Sequence, residues 1–277
     1  MLRSIFAVCR GRLAVSFQGG SILEVDPADS SGNPSVICLR AEGAQSEPAD
    51  LCYSADGTLL ALATEDKRII IWRVQGGEKN GENGNDVLLG SREIPKKPTR
   101  IRFARAGETE VVLASDRCGD VYAAPLPNPS EGLTHLLGHT SMTITTMEVL
   151  GGGGLLATGD RVEHIRVSEF PRTTVIHRYL LGHTDFVSAL ATVPGQESLL
   201  LSGGADGMIG LWDVTSGERL SWIGVKSACL DLAEDEGNQG QENAPNLSTT
   251  ALLAPETDSI AGANSKSTDG SAGGGNG

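Results

Sequence analysis

Two stretches of this chain superimpose at a fixed offset of 44 residues, and that internal repeat constrains the fold more than any single motif. Gly138-His139-Thr140 recurs as Gly182-His183-Thr184. Without a gap, Leu155-Leu156-Ala157-Thr158 falls on Leu199-Leu200-Leu201-Ser202, and His164-Ile165-Arg166-Val167-Ser168 falls on Met208-Ile209-Gly210-Leu211-Trp212. One step earlier, Val111-Val112-Leu113-Ala114 and Asp120-Val121-Tyr122-Ala123-Ala124 come into register. A further copy, Leu59 to Trp72, lies 52 residues upstream of that one, and the surplus falls in the Gly/Asn-rich stretch Gly76–Gly90, which reads as a surface loop.

Each copy consists of short apolar runs broken by turn residues, with no apolar stripe of helical period and length, so the repeat unit is built from strands. Val187–Val193, Leu199–Ser202 and Met208–Val214 read as successive strands, the last two joined by the turn Gly203–Gly207. A unit of this length with Gly-His before it and Trp-Asp near its end resembles the WD repeat, a four-stranded propeller blade. Gly182-His183, Ser202, Asp206 and Trp212-Asp213 carry the resemblance. It implies a buried hydrogen-bonded chain through His183, Ser202, Asp206 and Trp212, each bond contributing about 1 kcal/mol net. The preceding copy keeps His139 and Thr158 but has Val162 and Ser168 where Asp and Trp would complete such a chain, and the copy ending at Trp72 keeps Asp66 without a Gly-His. Only one blade therefore reads as fully bonded. The expected architecture is all-β: a WD40-type β-propeller over residues 1–223, with a loop insertion at 76–90 and a disordered low-complexity tail at 224–277. Residues 41–75, 91–126, 134–170 and 178–223 supply four blades and 1–40 strands of a fifth. Most WD propellers close with seven, so this one reads as incomplete, with exposed sheet edges or blade faces.

Charge and motif content narrow the function. The formal net charge is −13, and from Lys226 onward eight acids face two bases, so the tail alone carries −6. Such a protein repels nucleic acid unless basic residues cluster locally. Cys9, Cys38, Cys52, Cys118 and Cys229 are odd in number and show no CxxC spacing, which argues against a zinc site or disulfide framework and for a reducing compartment. No apolar run approaches the roughly 20 residues of a membrane span. The acid-free N-terminus with Arg3, Arg10 and Arg12 reads as edge strands, Leu13–Phe17 and Ile22–Val25, in preference to a targeting peptide. Phosphate loops, nucleophile elbows and HExxH pairs are absent; Gly151–Gly154 lacks phosphate-loop spacing, and Glu234-Asp235-Glu236 reads as a solvated charge run. No catalytic or metal-binding residues are assigned.

The basic residues are more informative. Arg117 and Arg161 occupy equivalent positions in the turns before the third strands of consecutive copies, which places them side by side on one rim. Arg166 follows, flanked by Ile165 and Val167 on the opposite strand face. Its equivalents are Ile70, Tyr122 and Gly210, so the fold does not demand charge there. Two readings stand: a solvated arginine paired with Glu163 or Glu148, or a local positive patch that docks an acidic surface, for which Arg forks suit carboxylates.

The stretch Leu155 to Ser168 and the stretch Leu181-Gly182-His183-Thr184-Asp185-Phe186-Val187-Ser188, with Gly119-Asp120-Val121-Tyr122 and Glu65-Asp66-Lys67-Arg68-Ile69 upstream, resemble one WD-repeat family: the non-catalytic subunit of eukaryotic tRNA (guanine-N(7)-)-methyltransferase. The resemblance spans residues 50–223 and implies a nuclear, or nuclear and cytoplasmic, scaffold without catalytic residues. It would form a heterodimer with the catalytic subunit. That partner binds S-adenosylmethionine, which this chain does not, and tRNA is met indirectly through it. The resemblance further implies that the basic residue of the "IRVS" strand, here Arg166, makes an ion pair with the partner, with Arg161, Glu163, His164 and Arg117 nearby. The family usually has Asp where this chain has Val162. Two further readings of a WD-repeat chain are a ubiquitin-ligase substrate receptor, separable by capture of a cullin adaptor, and a propeller hydrolase, separable by turnover in isolation.

Overall fold

The computed structural model describes residues 5–17, 21–26, 35–40, 46–74, 87–126, 128–129, 132–140 and 143–225. Twenty strands form five four-stranded antiparallel sheets. The first holds β1 (Ile5–Cys9), β2 (Arg12–Ser16), β3 (Ser21–Asp26) and β4 (Ser35–Arg40), and the second β5 (Pro48–Tyr53), β6 (Leu59–Thr64), β7 (Arg68–Arg73) and β8 (Val87–Glu93). The third holds β9 (Pro98–Ala106), β10 (Thr109–Asp116), β11 (Asp120–Pro125) and β12 (Thr134–Gly138), and the fourth β13 (Ile144–Leu150), β14 (Leu155–Asp160), β15 (Ile165–Glu169) and β16 (Ile176–Leu180). The fifth holds β17 (Val187–Val193), β18 (Gln196–Gly204), β19 (Met208–Asp213) and β20 (Arg219–Gly224). The inner strands β1, β5, β9, β13 and β17 pack each against the next, as in a propeller of five blades. No helix among the described residues is long and apolar enough to cross a membrane.

The core follows from strand alternation, because every sheet sends apolar side chains to both faces. One cluster joins Ala14, Ile22 and Leu39 of the first sheet to Leu51, Leu60, Leu62, Ile70 and Trp72 of the second. The second sheet's other face, Ala61, Ala63, Ile69 and Ile71, meets Ile101, Val112 and Ala114 of the third. Leu113, Val121 and Ala123 then meet Ile144, Met147 and Leu156, and Ala157, Ile165 and Val167 meet Val187, Leu190, Leu200 and Trp212.

Three expectations need correction. Thr134–Gly138 and Ile176–Leu180 close the sheets that precede them, although the sequence repeat groups them with the sheets that follow. The Gly-His landmark sits just after each closing strand, so the repeat runs one strand out of phase with the blade. Residues 87–90, counted in the loop insertion, belong to β8, which pairs with β7. Residues 1–40 supply a complete four-stranded sheet, so the described blades number five. The remainder of the 76–90 insertion and the 226–277 part of the tail lie outside the described residues.

Candidate partner-binding site around Arg166

In the fifth sheet the His183 imidazole spans two partners. Nδ1 lies 3.0 Å from an Asp206 carboxylate oxygen and Nε2 lies 2.8 Å from the Ser202 hydroxyl. Trp212 donates its indole N–H to the same hydroxyl at 2.8 Å. Asp206 also accepts the backbone N–H groups of Thr184 and Met208. Burial opposes its ionisation, but these donors and His183 hold its carboxyl below the usual range.

The fourth sheet departs from the sequence reading. Its chain does not lack an acid: His139 Nδ1 lies 3.0 Å from Asp160, and His139 Nε2 lies 2.7 Å from the Thr158 hydroxyl. Asp160 stands two positions ahead of Val162, where the aligned fifth-sheet residue is Gly204; a Cβ on Gly204 would collide with the Asp206 carboxylate and the His183 ring. Either position therefore delivers a carboxylate to the same place. Asp160 also accepts the N–H groups of Val162 and His164, fixing the β14–β15 turn. Against burial, His139 and these two donors lower its pKa.

That turn and β15 form a pocket of about 490 Å³ lined by Gly138, His139, Thr140, Asp160, Val162, His164, Arg166, Tyr179 and Leu181. Arg166 lies between Thr158 and Tyr179 across the sheet. Its guanidinium donates to the Ser168 hydroxyl at 3.0 Å, to the Gly138 carbonyl at 3.3 Å and to the Thr173 carbonyl at 2.9 Å. Glu148, one of its expected partners, is committed to Arg102 at 3.0 Å. Neither Glu163 nor any other carboxylate among the described residues lies within ion-pair distance of Arg166. A guanidinium has five N–H donors, so this one is oriented by three and keeps two free. Around it stand half-exposed apolar side chains, Val162, Tyr179 and Leu181. A cation preset by neutral acceptors, ringed by apolar surface, is suited to a carboxylate presented by another molecule.

Glu163 adjoins the pocket in a strained conformation, with φ of +69°. The equivalent turn positions in the third and fifth sheets are Gly119 and Gly207, with φ of +93° and +76°. Lys67 holds the equivalent position in the second sheet with the same φ of +69°, so this turn accepts a side chain at a cost of about 1 kcal/mol relative to glycine.

The expected single row of arginines is split. Arg117 and Arg161 do share a groove, of about 550 Å³, with Glu65, Arg100, Thr145 and Phe186 in its lining. Arg117 lies 3.6 Å from Glu65, which Lys97 also contacts at 2.8 Å, and the Arg161 guanidinium sits 6.0 Å above the Phe186 ring. Arg166 and His164 belong to the other pocket. Sequence reasoning missed the groups that aim Arg166: Ser168, Thr173 and Gly138. Ser168, two positions along the same strand face, was legible; Thr173 was not, since it arrives through the loop after β15, where its hydroxyl is tied to the Leu136 carbonyl at 2.7 Å. Among the described residues no three His, Cys, Asp or Glu side chains converge as metal ligands would.

The profile of the tRNA methyltransferase TRM82 WD40 domain matches residues 40–133 and 127–254. The chain belongs to that family. It is 33% identical over 212 residues to the Xenopus laevis tRNA (guanine-N(7)-)-methyltransferase non-catalytic subunit wdr4, covering 76% of this chain and 48% of that protein. It is 35% identical over 169 residues to the Homo sapiens subunit WDR4, covering 61% and 38%, and 33% identical over 183 residues to the Vanderwaltozyma polyspora subunit TRM82, covering 63% and 39%. This TRM82-family chain thus spans about half the length of the curated relatives it matches, from 38% to 60% among them. Among solved structures, a chain of the mitotic checkpoint complex superimposes with a TM-score of 0.65 at 20% identity, over 80% of this chain and 65% of that one, which supports the propeller fold alone.

Proposed function

We propose that this chain is the non-catalytic, scaffolding subunit of a tRNA (guanine-N7) methyltransferase, and that it holds the catalytic subunit through the Arg166 pocket. The observation that carries the reading is the state of Arg166, a guanidinium locked by Ser168, Gly138 and Thr173 with two donors open and no carboxylate of its own. Relatives named as non-catalytic subunits of that enzyme support the choice of partner. The partner is expected to place a carboxylate on Arg166, with its flanking carbons against Val162, Tyr179 and Leu181. S-adenosylmethionine and most tRNA contacts then fall to the partner, consistent with a net charge of −13 on this one. The complex is a heterodimer with a nuclear setting. Support for catalysis is conformational: binding energy at this face favours the partner's active state.

The test is reconstitution. The purified chain and the catalytic subunit are mixed, and association and methyl transfer to tRNA are both measured. Stranding one member of a desolvated charge pair costs about 2–5 kcal/mol, so Arg166→Glu should weaken association 30-fold or more and reduce methylation in parallel. Its circular dichroism should be unchanged. An intact complex after that charge reversal refutes the assigned surface.

A further inference from the structure

We infer that the groove between Arg117 and Arg161 binds an extended acidic peptide, carried by a partner protein other than the catalytic subunit. The groove, of about 550 Å³, opens where four inner strands begin. Ala49, Pro98, Ile144 and Ser188 in its lining are first or second residues of β5, β9, β13 and β17, so four consecutive sheets build it from the same end of each strand.

Its charge is the reverse of the protein's. Three guanidiniums, of Arg100, Arg117 and Arg161, line it against one carboxylate, Glu65, in a chain of net charge −13. Glu65 is held by Lys97 at 2.8 Å and meets Arg117 only at 3.6 Å, and the Arg117 side chain is 57% exposed. Arg161 has no carboxylate within ion-pair distance among the described residues. Its guanidinium lies over the Phe186 ring, a contact that shields one face of the cation and leaves its N–H donors for a ligand. A local excess of positive charge on an acidic protein selects an anion.

The hydroxyls of the lining select the kind of anion. Thr143 donates to the Arg117 carbonyl at 2.8 Å, Ser188 donates to the Gly203 carbonyl at 2.9 Å, and Thr145 donates to the carbonyls of Gly159 and Val187. A hydroxyl has one proton, so these three can only accept from a ligand. The phosphate backbone of a nucleic acid brings acceptors alone. A peptide brings a backbone N–H at nearly every residue, and its Asp or Glu carboxylates match the arginine forks. In an extended peptide alternate side chains share one face, so a single face can carry the acids.

The occupant is separate from the catalytic subunit because the two sites share no lining residue. Arg161 faces the groove, whereas Val162, His164 and Arg166 face the pocket beyond the β14–β15 turn. A carboxylate seated on Arg166 leaves the groove unfilled.

The experiment titrates the full chain into a fluorescein-labelled peptide of Glu-Ala repeats and follows anisotropy. A Gln-Ala peptide and an oligouridylate of equal length are titrated in parallel, and both should bind more weakly than the acidic peptide. Arg117→Glu and Arg161→Glu, both at exposed positions, should each weaken the acidic peptide about 10-fold or more, with circular dichroism unchanged. Thr143→Val should weaken it about 3-fold without affecting the oligouridylate. Arg166→Glu should leave its affinity unaltered, and the reconstituted heterodimer should bind it as the free chain does. Failure of the acidic peptide to bind, equal binding of the Gln-Ala peptide, tighter binding of the oligouridylate, or indifference to both arginine reversals overturns the proposal. Displacement of the peptide by the catalytic subunit also overturns it, since the groove would then belong to that subunit. A catalytic subunit that does not associate at all refutes the assigned partner of Arg166 and leaves the peptide result standing.

Discussion

Removing the Ser202 hydroxyl tests the hydrogen-bonded chain of the fifth sheet against its counterpart in the fourth. Ser202 serves two buried groups at once, His183 Nε2 and Trp212 Nε1–H, each at 2.8 Å. In Ser202→Ala both are left without a partner where water does not reach, since His183 is 4% exposed and Trp212 2%. Each stranded group costs about 1–3 kcal/mol, so the loss is about 2–4 kcal/mol after local relaxation. At about 2–4 °C per kcal/mol for a domain of this size, Tm should fall by about 5–15 °C. Thr158→Ala is the internal control, because Thr158 serves one buried side chain, His139, besides a long 3.4 Å bond to the Arg166 carbonyl, and no indole stands where Ser168 does; about half the loss is expected. Ser202→Thr keeps the hydroxyl, as Thr158 does in the fourth sheet, and should lie within about 1 kcal/mol of wild type. Differential scanning calorimetry gives the global values, and tryptophan fluorescence reports on the fifth sheet through Trp212 and Trp222. A Ser202→Ala loss no larger than that of Thr158→Ala would refute the claim that one hydroxyl bridges two buried groups.

Three other substitutions probe different physics. Arg102 donates to Asp50 and Glu148 at 3.0 Å each, tying β9 to β5 and β13, so Arg102→Met should destabilise by about 3–5 kcal/mol in chemical denaturation, with most of that recovered when Asp50→Asn and Glu148→Gln are added. Asp116 is fully buried, uses one carboxylate oxygen to accept the N–H groups of Cys118 and Asp120, and has no partner for the other, so burial raises its pKa. Its ionisation therefore opposes folding: its contribution is complete below the unfolded pKa and is lost as pH rises through the folded one. Asp116→Asn should raise Tm at pH 7, by about 1 kcal/mol in stability, and the gain should disappear in acid, where wild type is also neutral; a pH-independent difference would contradict the sign. Glu163→Gly relieves the positive φ and should add about 0.5–1 kcal/mol to stability while weakening binding of the catalytic subunit, so calorimetry and association should move in opposite directions.

The fold was legible because the repeat is covalent information. Strand length, turn position and the burial of Leu156, Leu200 and Val112 all follow from a period that can be counted. The phase of the blades was not legible. Whether Thr134–Gly138 closes one sheet or opens the next depends on backbone pairing with Val121 and Tyr122, which leaves no mark on the side-chain pattern. The acid of the fourth sheet was missed for a related reason: a strict 44-residue alignment demands an Asp at Val162, whereas the site needs only a carboxylate that reaches His139, which Asp160 supplies from another backbone position. The arginine row failed because equivalent sequence positions predict equivalent places but not shared direction. The turn residues Arg117 and Arg161 do meet in one groove, while Arg166, on a strand, projects into another.

The same comparison explains why a pocket arises where the motif is incomplete. In the fifth sheet the position of Arg166 is Gly210, paired across the sheet with Ser202, and a Cβ there would lie 2.6 Å from Trp222, 2.8 Å from Trp212 Nε1 and 2.9 Å from the Ser202 hydroxyl. A fully bonded blade thus excludes any side chain at this point. In the fourth sheet Ser168 stands in place of the tryptophan, the volume of the indole is vacated, and Arg166 enters it; the hydroxyl that displaced the indole then orients the guanidinium at 3.0 Å. Ser168→Trp would drive the guanidinium out of its seat, whereas Arg166→Gly would leave a void under Tyr179. Degeneracy of the repeat in the fourth sheet is therefore the physical condition for the pocket that we propose as the partner contact.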